Sequence, residues 1–595
     1  MSDSALYLRA ARDLEGNDRQ WEAYESTSHC VVLAGPGSGK TKILTIKLAR
    51  MLVEDVHAPR GIACITYNNE CARELESRLD ALGVESRGRV FIGTVHSFAL
   101  TQIILPYAKT ARIDIPDPFR VATRAQEKAA FEAGFANTIG GAGDPEPLRR
   151  AMGRYRRAIL DRRSPSWRET DPQNAQLAEA YEQELRHGGL IDFDDMPLLA
   201  LDALKGNVWL RGAILAKYPV LVVDEYQDLG HALHQMVMGL CFQTGVRLFA
   251  VGDVDQSIYG FTGAYPALLE RVAGRAAVQT VRLRLNYRCS LRIVAAARYA
   301  LGEDRGYQAA DGAVEGAVAF HAGRFSYEEQ AMHLFSAILP KAYERMPDLT
   351  PGRIAVLYQA AWIGDLVANE AKRLGIDVVR TDVNALYPRN SRLMRWLEDC
   401  AAWCCQGWHT ATPRFSTIVN GGTRIFAEAI HSEDDLRAFQ RRLASSLWAL
   451  RDPSITLYNW LERMREDVLQ ELADACQTLD EDWAILRRIV GRTSDDEELA
   501  AMTVSQFFGV GDGGDRLNLS TLHSSKGREF DVVVLFGMDN GRVPRHNATR
   551  AGVLEARRLF YVGFTRAKRE VHIMYSQSKM SPFVSELRAR LSTAE

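Results

Sequence analysis

The feature that most constrains the fold is a glycine-rich segment, residues 34–41 (AGPGSGKT). It follows a short apolar run, residues 31–34, that is typical of a buried strand, and it precedes a helical pattern over residues 42–53. Glycines let successive backbone N–H groups turn towards one anion, and the helix N-terminus adds its dipole. This order predicts a phosphate-binding loop, in which Lys40 contacts the terminal phosphates and the Thr41 hydroxyl binds Mg²⁺.

A second apolar run, residues 220–223, ends in the carboxylates Asp224 and Glu225. Beside a phosphate loop, this strand end would place Asp224 next to the metal and Glu225 next to an attacking water. Hydrolysis needs a base that orients this water, and we expect Glu225 to be that base. The alternative for an isolated pair of carboxylates is a solvated strand end.

Short β-branched runs recur along the chain with helical patterns between them. They are apolar on both faces, which is typical of the buried strands of parallel α/β sheets. The predicted strands cover residues 31–34, 62–66, 90–94, 220–224, 247–253, 278–285, 317–321, 354–358, 517–522, 531–538 and 571–575. Two stretches, about 105–205 and 385–505, look wholly helical. The simplest organisation is two α/β domains, each with a helical insertion.

Composition excludes several classes of protein. Hydrophobic residues make up 47% of the 595 residues and the formal charge is -2, so the chain is globular and any basic groove for nucleic acid must be local. The nine cysteines are odd in number and irregularly spaced, which indicates reduced thiols. The N-terminus lacks the apolar stretch of a signal peptide, and no apolar run approaches the ~20 residues that span a bilayer. We therefore expect a soluble, cytoplasmic protein without a membrane partner.

Further motifs follow in a fixed order. They are residues 224–229 (DEYQDL), 251–261 (VGDVDQSIYGF), 285–288 (LNYR), 521–530 (TLHSSKGREF) and 561–568 (YVGFTRAK). In this order they resemble the helicase motifs of the UvrD/Rep/PcrA family of superfamily 1, and the resemblance runs from Asn17 to about Phe583. It implies an α/β fold with two RecA-like P-loop parallel-sheet domains, each with a helical insertion subdomain.

The resemblance also implies domain boundaries. The first RecA-like, ATP-binding domain comprises 1–104 and 206–282 around a helical insertion at 105–205, and the second comprises 283–384 and 511–595 around an insertion at 385–510. This second insertion is shorter than in the full-length repair helicases. The chain stops about twelve residues after Phe583, so we expect neither their C-terminal partner-binding tail nor an added nuclease domain.

For the base and ribose of ATP, the resemblance implies four contacts. Gln20 reads the edge of the adenine, and Tyr287 stacks on one face of it. Lys42 covers the other face, where relatives often carry Arg, and Glu529 contacts the ribose. The remaining predicted nucleotide-binding residues are Gly35, Gly37, Ser38, Gly39 and Gly527.

For the terminal phosphate, the resemblance implies three more residues. Gln256 is the γ-phosphate sensor. Arg288 and Arg566 match the two arginines that reach the γ-phosphate from the second RecA-like domain. A planar guanidinium at that place neutralises the charge that develops in phosphoryl transfer.

Candidate contacts to single-stranded DNA follow the carboxyl ends of predicted strands, where open α/β sheets bind ligands. They are Tyr67, Asn68, Thr94, His96, Tyr259 and Phe261 in the first domain, and Thr521 and His523 in the second. Core filling is the alternative role of Tyr67 and Phe261. Glu70 and Thr262 stand where relatives carry Lys and Arg, so two positive charges are missing near this path.

Two other clusters leave more than one interpretation open. Residues 149–163 hold seven Arg and one Asp, which fits either contacts to DNA phosphates or a solvated helix face. Cys400, Cys404, Cys405 and His409 could ligate a metal. Their spacing is not that of a zinc ribbon, so small buried thiols are the favoured interpretation.

We therefore predict an ATP-dependent DNA helicase and translocase that uses ATP and Mg²⁺ and moves 3′-to-5′ on single-stranded DNA or a 3′-tailed duplex. The direction comes from the resemblance alone. One alternative is a motor subunit of a DNA-processing or anti-phage defence complex, working with a separate nuclease or repair protein. Another is an NTP-sensing module that binds DNA ends without translocation. Glu225, Arg288 and Arg566 argue against this last role, because a sensor needs no hydrolysis.

Overall fold

The structure is a computed structural model, and it describes residues 4–67, 69–84, 88–141, 144–260, 263–323, 326–388, 391–473, 475–476, 479–508 and 515–593. The chain forms two compact units. The first unit comprises Met1–Glu315 with Ala548–Tyr561, and the second comprises Gly316–Asn547 with Val562–Glu595. Each contains a six-stranded sheet in which every pairing is parallel.

The sheet of the first unit has the order β3-β2-β4-β5-β1-β6. Its strands are β1 (His29–Ala34), β2 (Ile62–Thr66), β3 (Val90–Thr94), β4 (Val220–Val223), β5 (Arg247–Gly252) and β6 (Val278–Leu283). Successive side chains of β1 enter different cores, Val31 on one face and Val32 on the other, because strand side chains alternate. Both faces are thus covered, which confirms the prediction of buried parallel strands. The loops that follow these strands share one edge of the sheet.

Helices surround this sheet and connect its strands. Outside the first insertion they are Ser4–Arg12, Asp18–Glu25, Lys40–Arg50, Asn69–Ala81, Val95–Phe98, Asp195–Gly206, Val208–Lys217, His231–Val237, Ala267–Ala273 and Leu291–Leu301. Three of them continue directly into π-helical turns, at Met51–Asp55, Ala99–Ile104 and Met238–Gln243. The compact unit runs to Glu315 and so includes a segment that the predicted boundaries give to the second domain.

The first insertion is a helical bundle with its own core around Phe131 and Trp167. Its helices are Leu105–Ala111, Arg124–Thr138, Glu146–Ala158, Pro165–Glu169 and Pro172–His187. Contrary to the prediction, it is not wholly helical, because Arg120–Val121 and Leu190–Ile191 form a short parallel pair. Two residues per strand are too few to give a periodic sequence signal.

The sheet of the second unit has the order β7-β12-β11-β8-β10-β9. Its strands are β7 (Ala317–Gly323), β8 (Ile354–Tyr358), β9 (Val378–Arg380), β10 (Leu517–Thr521), β11 (Phe530–Leu535) and β12 (Ala567–Ser576). The edge strand β9 was not predicted, because it has three residues. Its helices outside the insertion are Tyr327–His333, Leu339–Arg345, Ala361–Arg373 and Pro582–Ser592, and Arg550–Phe564 belongs partly to each unit.

The second insertion is built from helices in its described residues, as predicted, with one isolated antiparallel bridge between Thr456 and Thr503. Its helices are Arg392–Ala402, Trp408–Thr410, Phe415–Ile425, Glu433–Ala449, Leu457–Met464, Gln470–Ala473, Asp480–Asp495, Glu497–Ala500 and Val504–Phe507. They pack round a core that includes Trp460 and Phe426. Ser432 begins the longest of them with a reciprocal capping box to Asp435. In the part of the chain that the structure describes, no helix has the length and apolar character to cross a membrane.

Candidate functional site

The glycine-rich loop lies between β1 and the helix that begins at Lys40. Gly37 and Gly39 have φ angles of +65° and +83°, which glycine adopts without steric cost. A Cβ atom on Gly37 would lie 2.6 Å from Oδ1 of Asn286, and one on Gly35 would lie 2.3 Å from the ring of Tyr307. The loop therefore needs glycine at these places, and its form is that of a phosphate cradle.

Lys40 is the cation inside this cradle. Its Nζ atom is buried and makes no hydrogen bond with any described residue. It lies 3.6 Å from Oδ2 of Asp253, an oxygen that also accepts a hydrogen bond of 2.7 Å from Nε2 of Gln256. A buried ammonium with unmet donors calls for an anion. Lys40 and Gln256 therefore meet on one carboxylate, and the cradle fits a phosphate chain.

Gln20 and Tyr287 both form hydrogen bonds to this same loop. Nε2 of Gln20 donates 2.8 Å to the carbonyl of Ser38, and the backbone N–H of Tyr287 donates 2.8 Å to the carbonyl of Gly37. Asn17 caps the helix that carries Gln20, and its Nδ2 donates 2.8 Å to the hydroxyl of Tyr287. The ring of Tyr287 is 50% exposed. An amide that can form hydrogen bonds and an exposed aromatic ring that can stack are thus available to bind a flat heteroaromatic base.

The two carboxylates follow β4 directly. The pKa of Asp224 is raised to about 7, mainly by burial and also by the neighbouring charge of Glu225, while Lys40 opposes this shift. Glu225 has a φ of +49°, a left-handed conformation that is costly for a residue with a Cβ. Its backbone N–H donates 2.9 Å to Oδ1 of Asp224, and its carboxylate accepts from Nε2 of Gln227. Because Oε1 of Gln227 accepts from the N–H of Asp253 at 2.9 Å, one amide links both acidic motifs.

Thr41 and Asp224 are the predicted magnesium ligands. Thr41 is half-buried at the start of the helix, next to Lys40, and Asp224 is buried. One hydroxyl and one carboxylate completed by phosphate oxygens and water are typical of Mg²⁺ sites in nucleotide-binding proteins. Lys42, also at this helix start, is 3.5 Å from the carboxylate of Asp13 at the surface.

Sequence reasoning missed two residues of this site, Arg305 and Tyr307. The guanidinium of Arg305 makes a bidentate ion pair with Asp255, with Nε and Nη2 at 2.9 and 2.8 Å from its carboxylate. The ring of Tyr307 fills the space above Gly35. Both follow the last recognisable motif of the unit by many residues, so no local pattern reports their contacts. Together they join a distant segment to the sensor motif and the phosphate loop.

The other predicted nucleotide contacts fall in different parts of the fold. Arg288 belongs to the first compact unit, although the resemblance assigns it to the second RecA-like domain, and its backbone N–H donates 2.8 Å to Oδ1 of Asn286. Arg566 is in the second unit, 2% exposed, and its Nε donates 3.0 Å to the carbonyl of Val562. Glu529 pairs with Lys568 at 3.4 Å. Gly527, also in the second unit, has a φ of +83°.

The aromatic DNA candidates of the first unit stack on each other. The rings of Tyr67 and Tyr259 are 4.7 Å apart with 18° between their planes, and both are partly buried. Tyr67 follows β2 and Tyr259 follows β5, so both lie at the carboxyl edge of the sheet. Asn68 and Phe261 lie outside the described residues, as do Thr262 and the side chain of Glu70.

Thr94 and Thr521 occupy matching positions in the two units. Each ends a strand, and each is followed by a residue, a histidine and a serine. Oγ1 of Thr94 accepts from the N–H of Ser97, and Oγ1 of Thr521 accepts from the N–H of Ser524, both at 3.2 Å. Both threonines therefore shape the turn after their strand, a structural role that sequence alone did not reveal.

The histidines of these turns are uncharged near neutral pH. Burial lowers the pKa of His96, and burial together with Arg545 lowers the pKa of His523 to about 4. His96 packs edge to face on Phe193, with ring centroids 5.8 Å apart. Phe193 is 55% exposed and lies outside the predicted set, so it adds an aromatic surface beside the predicted DNA contacts.

The arginine-rich run 149–163 is mostly engaged within the first insertion. Arg156 is buried among three carboxylates, and Arg157, Arg162, Arg149 and Arg150 also form ion pairs. Arg154 and Arg163 are exposed and form no ion pair with a described residue. The contacts therefore support a structural role for most of the run.

The thiol cluster lies in the core of the second insertion. Cys400 and Cys404 are buried there, and Sγ of Cys404 contacts the carbonyl of Leu447 at 3.5 Å. Cys405 is half-buried. In the described ranges, no three or more His, Cys, Asp or Glu side chains are grouped so that they could hold a metal ion.

Comparison with known proteins places this geometry in context. Residues 16–276 match the model of the UvrD/REP helicase N-terminal domain, and residues 458–578 match the UvrD-like helicase C-terminal domain. The chain is 26% identical to the ATP-dependent DNA helicase Rep of Salmonella typhimurium, over 92% of this chain and 88% of the relative. It is 25% identical to DNA helicase II of Escherichia coli, over 95% and 84%, and 22% identical to the ATP-dependent DNA helicase PcrA of Bacillus subtilis, over 96% and 85%.

Proposed function

Because this chain belongs to the UvrD-like family of ATP-dependent DNA helicases, we propose that it hydrolyses ATP to move 3′-to-5′ along single-stranded DNA and to unwind a 3′-tailed duplex. The observation that carries the ATPase is the buried Nζ of Lys40, which has no hydrogen bond among the described residues inside a glycine cradle. The direction of movement rests on the family alone. The test must therefore address hydrolysis and direction separately.

ATP is held by groups that the first unit already positions. The adenine lies against Tyr287, and the Gln20 amide, fixed by its bond to Ser38, reads the edge of the base. The phosphates enter the glycine cradle, where Lys40 supplies the positive charge. Gln256 leaves the carboxylate of Asp253 to contact the terminal phosphate. Binding thus replaces one ion pair and one hydrogen bond that the free protein makes with Asp253.

Hydrolysis uses the two carboxylates after β4. Thr41 and Asp224 hold Mg²⁺, which neutralises charge on the phosphate oxygens when it is bound. Glu225 orients the attacking water and accepts its proton. Arg288 and Arg566 stabilise the charge of the transition state as donors to the transferred phosphoryl group. The strained backbone at Glu225 and its bond to Gln227 fix the direction in which this carboxylate points.

Binding of Mg–ATP should weaken at acidic pH. A metal ligand must be ionised, and the Asp224 carboxyl has a pKa of about 7, raised mainly by burial, so it gains a proton as the pH falls through that value. We expect the dissociation constant in excess Mg²⁺ to rise roughly tenfold between pH 7.5 and pH 6. Fluorescence titration with a labelled ATP analogue measures it. Asp224→Asn lacks this carboxyl, so the pH dependence of its dissociation constant reports the titration of the nucleotide alone. The same pH dependence in both proteins would contradict the assignment of Asp224 as a metal ligand.

Direction is tested by strand displacement on two duplexes that differ only in the polarity of the tail. We expect the full chain to unwind the 3′-tailed duplex and not the 5′-tailed one, with ATP hydrolysis followed in the same reaction. Glu225→Gln is the control for dependence on hydrolysis. Unwinding of only the 5′-tailed duplex would overturn the direction. DNA-stimulated hydrolysis without unwinding would favour a translocase that needs a partner. Hydrolysis that DNA does not stimulate would overturn the proposal that the chain is a DNA motor.

A further inference from the structure

We propose that Trp362 is a base-stacking residue for single-stranded DNA, at the carboxyl edge of the sheet in the second unit. Trp362 belongs to none of the motifs that predicted the DNA path, and the predicted contacts in this unit, Thr521 and His523, include no large aromatic ring. The inference rests on the proposed function, because it adds a contact for the same strand. Four observations within the second unit support it.

The first observation is the position of Trp362. β8 ends at Tyr358, whose register partner in β10 is Thr521, and the N–H of Leu522 donates 2.8 Å to the carbonyl of Tyr358. Trp362 follows in the first turn of the helix Ala361–Arg373. It therefore lies on the same edge of the sheet as Thr521. In open parallel sheets this edge is where ligands bind.

The second observation is its exposure. The side chain of Trp362 is 43% exposed, whereas Trp396, Trp460 and Trp483 are buried in the core of the second insertion. A large apolar ring left in water forgoes the stabilisation that burial would give. The exposed part of the ring is therefore available as a surface on which a base can stack.

The third observation is that the ring is held in place. Trp362 packs edge to face on Tyr327, with ring centroids 5.6 Å apart and 65° between the planes. The hydroxyl of Tyr327 donates 3.0 Å to Oδ2 of Asp539, a buried carboxylate that also accepts the N–H of Ser576 at 2.7 Å. A ring fixed by such a chain of contacts loses little conformational entropy when a base stacks on it.

The fourth observation is the positive charge beside the ring. The guanidinium of Arg542 lies 5.2 Å from the centroid of the Trp362 ring. The backbones of Arg542 and Arg545 pair in an isolated antiparallel bridge, so both residues lie in one tight loop. Arg545 is close enough to His523 to lower the pKa of that histidine. An aromatic face next to arginines is the combination that binds single strands, because bases stack and phosphates need cations. Because the ring and these arginines lie near Thr521 and His523, the observations favour a nucleic-acid strand as the ligand.

Trp448 offers a matched control in the same unit. It is 56% exposed, and the guanidinium of Arg451 lies 3.3 Å from its ring centroid. It has the chemistry of Trp362, but it lies near the end of the helix Glu433–Ala449 in the second insertion, away from the strand ends. Any loss of binding that is specific to Trp362 therefore reports its position at the edge of the sheet.

The experiment measures binding of a labelled oligothymidylate to the full chain, together with ATP hydrolysis without and with that DNA. We expect Trp362→Ala to raise the dissociation constant about tenfold, the size of one lost stacking contact, with hydrolysis in the absence of DNA unchanged. Trp362→Phe should bind within about threefold of the natural chain, because phenylalanine still offers a ring. Trp448→Ala should bind like the natural chain.

Normal DNA binding by Trp362→Ala would overturn the inference, and so would an equal loss in Trp448→Ala. Should Trp362→Ala fail to fold by circular dichroism, crosslinking of the natural chain decides. An oligonucleotide with one 5-iodouracil should then form an adduct on the tryptic peptide 354–372, and its absence would overturn the inference. If the natural chain lacks DNA-stimulated hydrolysis, the proposed function fails, whatever the variants show. If DNA stimulates ATP hydrolysis by Trp362→Ala normally and its affinity for the oligonucleotide is unchanged, only the stacking role of Trp362 is refuted.

Discussion

Replacing Glu225 by Gln should lower kcat for ATP hydrolysis about a thousandfold, while ATP binds within about threefold of its affinity for the natural chain. An amide has nearly the shape of a carboxylate, but it does not take a proton from water. It still accepts the hydrogen bond that Nε2 of Gln227 gives to the carboxylate, so the local geometry is preserved. Steady-state hydrolysis gives kcat, and titration with a labelled ATP analogue gives the affinity.

A matched control for this prediction lies in the same unit. Glu270 is an exposed carboxylate in the helix Ala267–Ala273, and Glu270→Gln should leave kcat unchanged. A decrease of less than tenfold in Glu225→Gln would show that another group accepts the proton. Loss of ATP binding together with kcat would instead show that the carboxylate supports the fold of the site.

The strained backbone at Glu225 is one reason why we expect hydrolysis to be sensitive to substitution of this residue. Its φ of +49° lies in the left-handed region, and this unusual backbone distinguishes it from Asp224, for which we propose a different role. Burial raises the pKa of Asp224, whereas the carboxylate of Glu225 accepts a hydrogen bond from Nε2 of Gln227. Adjacent carboxylates with different surroundings are typical of catalytic sites.

The sequence predicted the strands and the loops that carry the ATP site well, because both have local signals. A strand buried on both faces, such as β2 with all five residues buried, gives a continuous apolar run. The phosphate loop needs glycine at Gly37 and Gly39 for its conformation, so its composition is fixed. Such constraints act on neighbours in the chain.

The elements and residues that were missed depend on distant parts of the chain. The edge strand β9 has three residues, and the pair Arg120–Val121 and Leu190–Ile191 has two in each strand. The ion pair of Arg305 with Asp255 joins residues 50 positions apart, and Trp362 is notable only for what surrounds it. No periodic pattern reports such contacts.

The arginine-rich run 149–163 is another case in which the sequence alone does not reveal which distant residues are in contact. Its composition suggested either DNA contacts or a solvated face, and neither describes Arg156. The guanidinium is 1% exposed and lies 2.7 Å from Glu182, 2.6 Å from Asp192 and 2.9 Å from Asp195. Burial would raise the pKa of Asp192, but the ion pair with Arg156 lowers it below its ordinary value. The charge of Arg156 therefore stabilises three neighbouring carboxylates.

Replacing Arg156 by Met should lower the free energy of opening of the first insertion by about 3–5 kcal/mol. The reason is that three carboxylates then remain in a poorly solvated site without their cation. Hydrogen exchange of peptides from the helix Pro172–His187 measures this opening, and protection should fall by about two to four orders of magnitude. Arg154→Met is the matched control, because Arg154 is exposed on the same helix as Arg156 and should change stability by less than about 0.5 kcal/mol.

The same variant separates a structural role from a DNA contact. A phosphate contact at Arg156 would leave exchange unchanged and reduce the salt dependence of DNA binding by about one ion. Loss of protection with an unchanged salt dependence is the result that we expect. Phe193 lies between Asp192 and Asp195 in the chain, so its exposed ring beside His96 loses its fixed position when the cluster opens. Any loss of DNA affinity in Arg156→Met should therefore be matched by Phe193→Ala, which removes the ring and keeps the cluster.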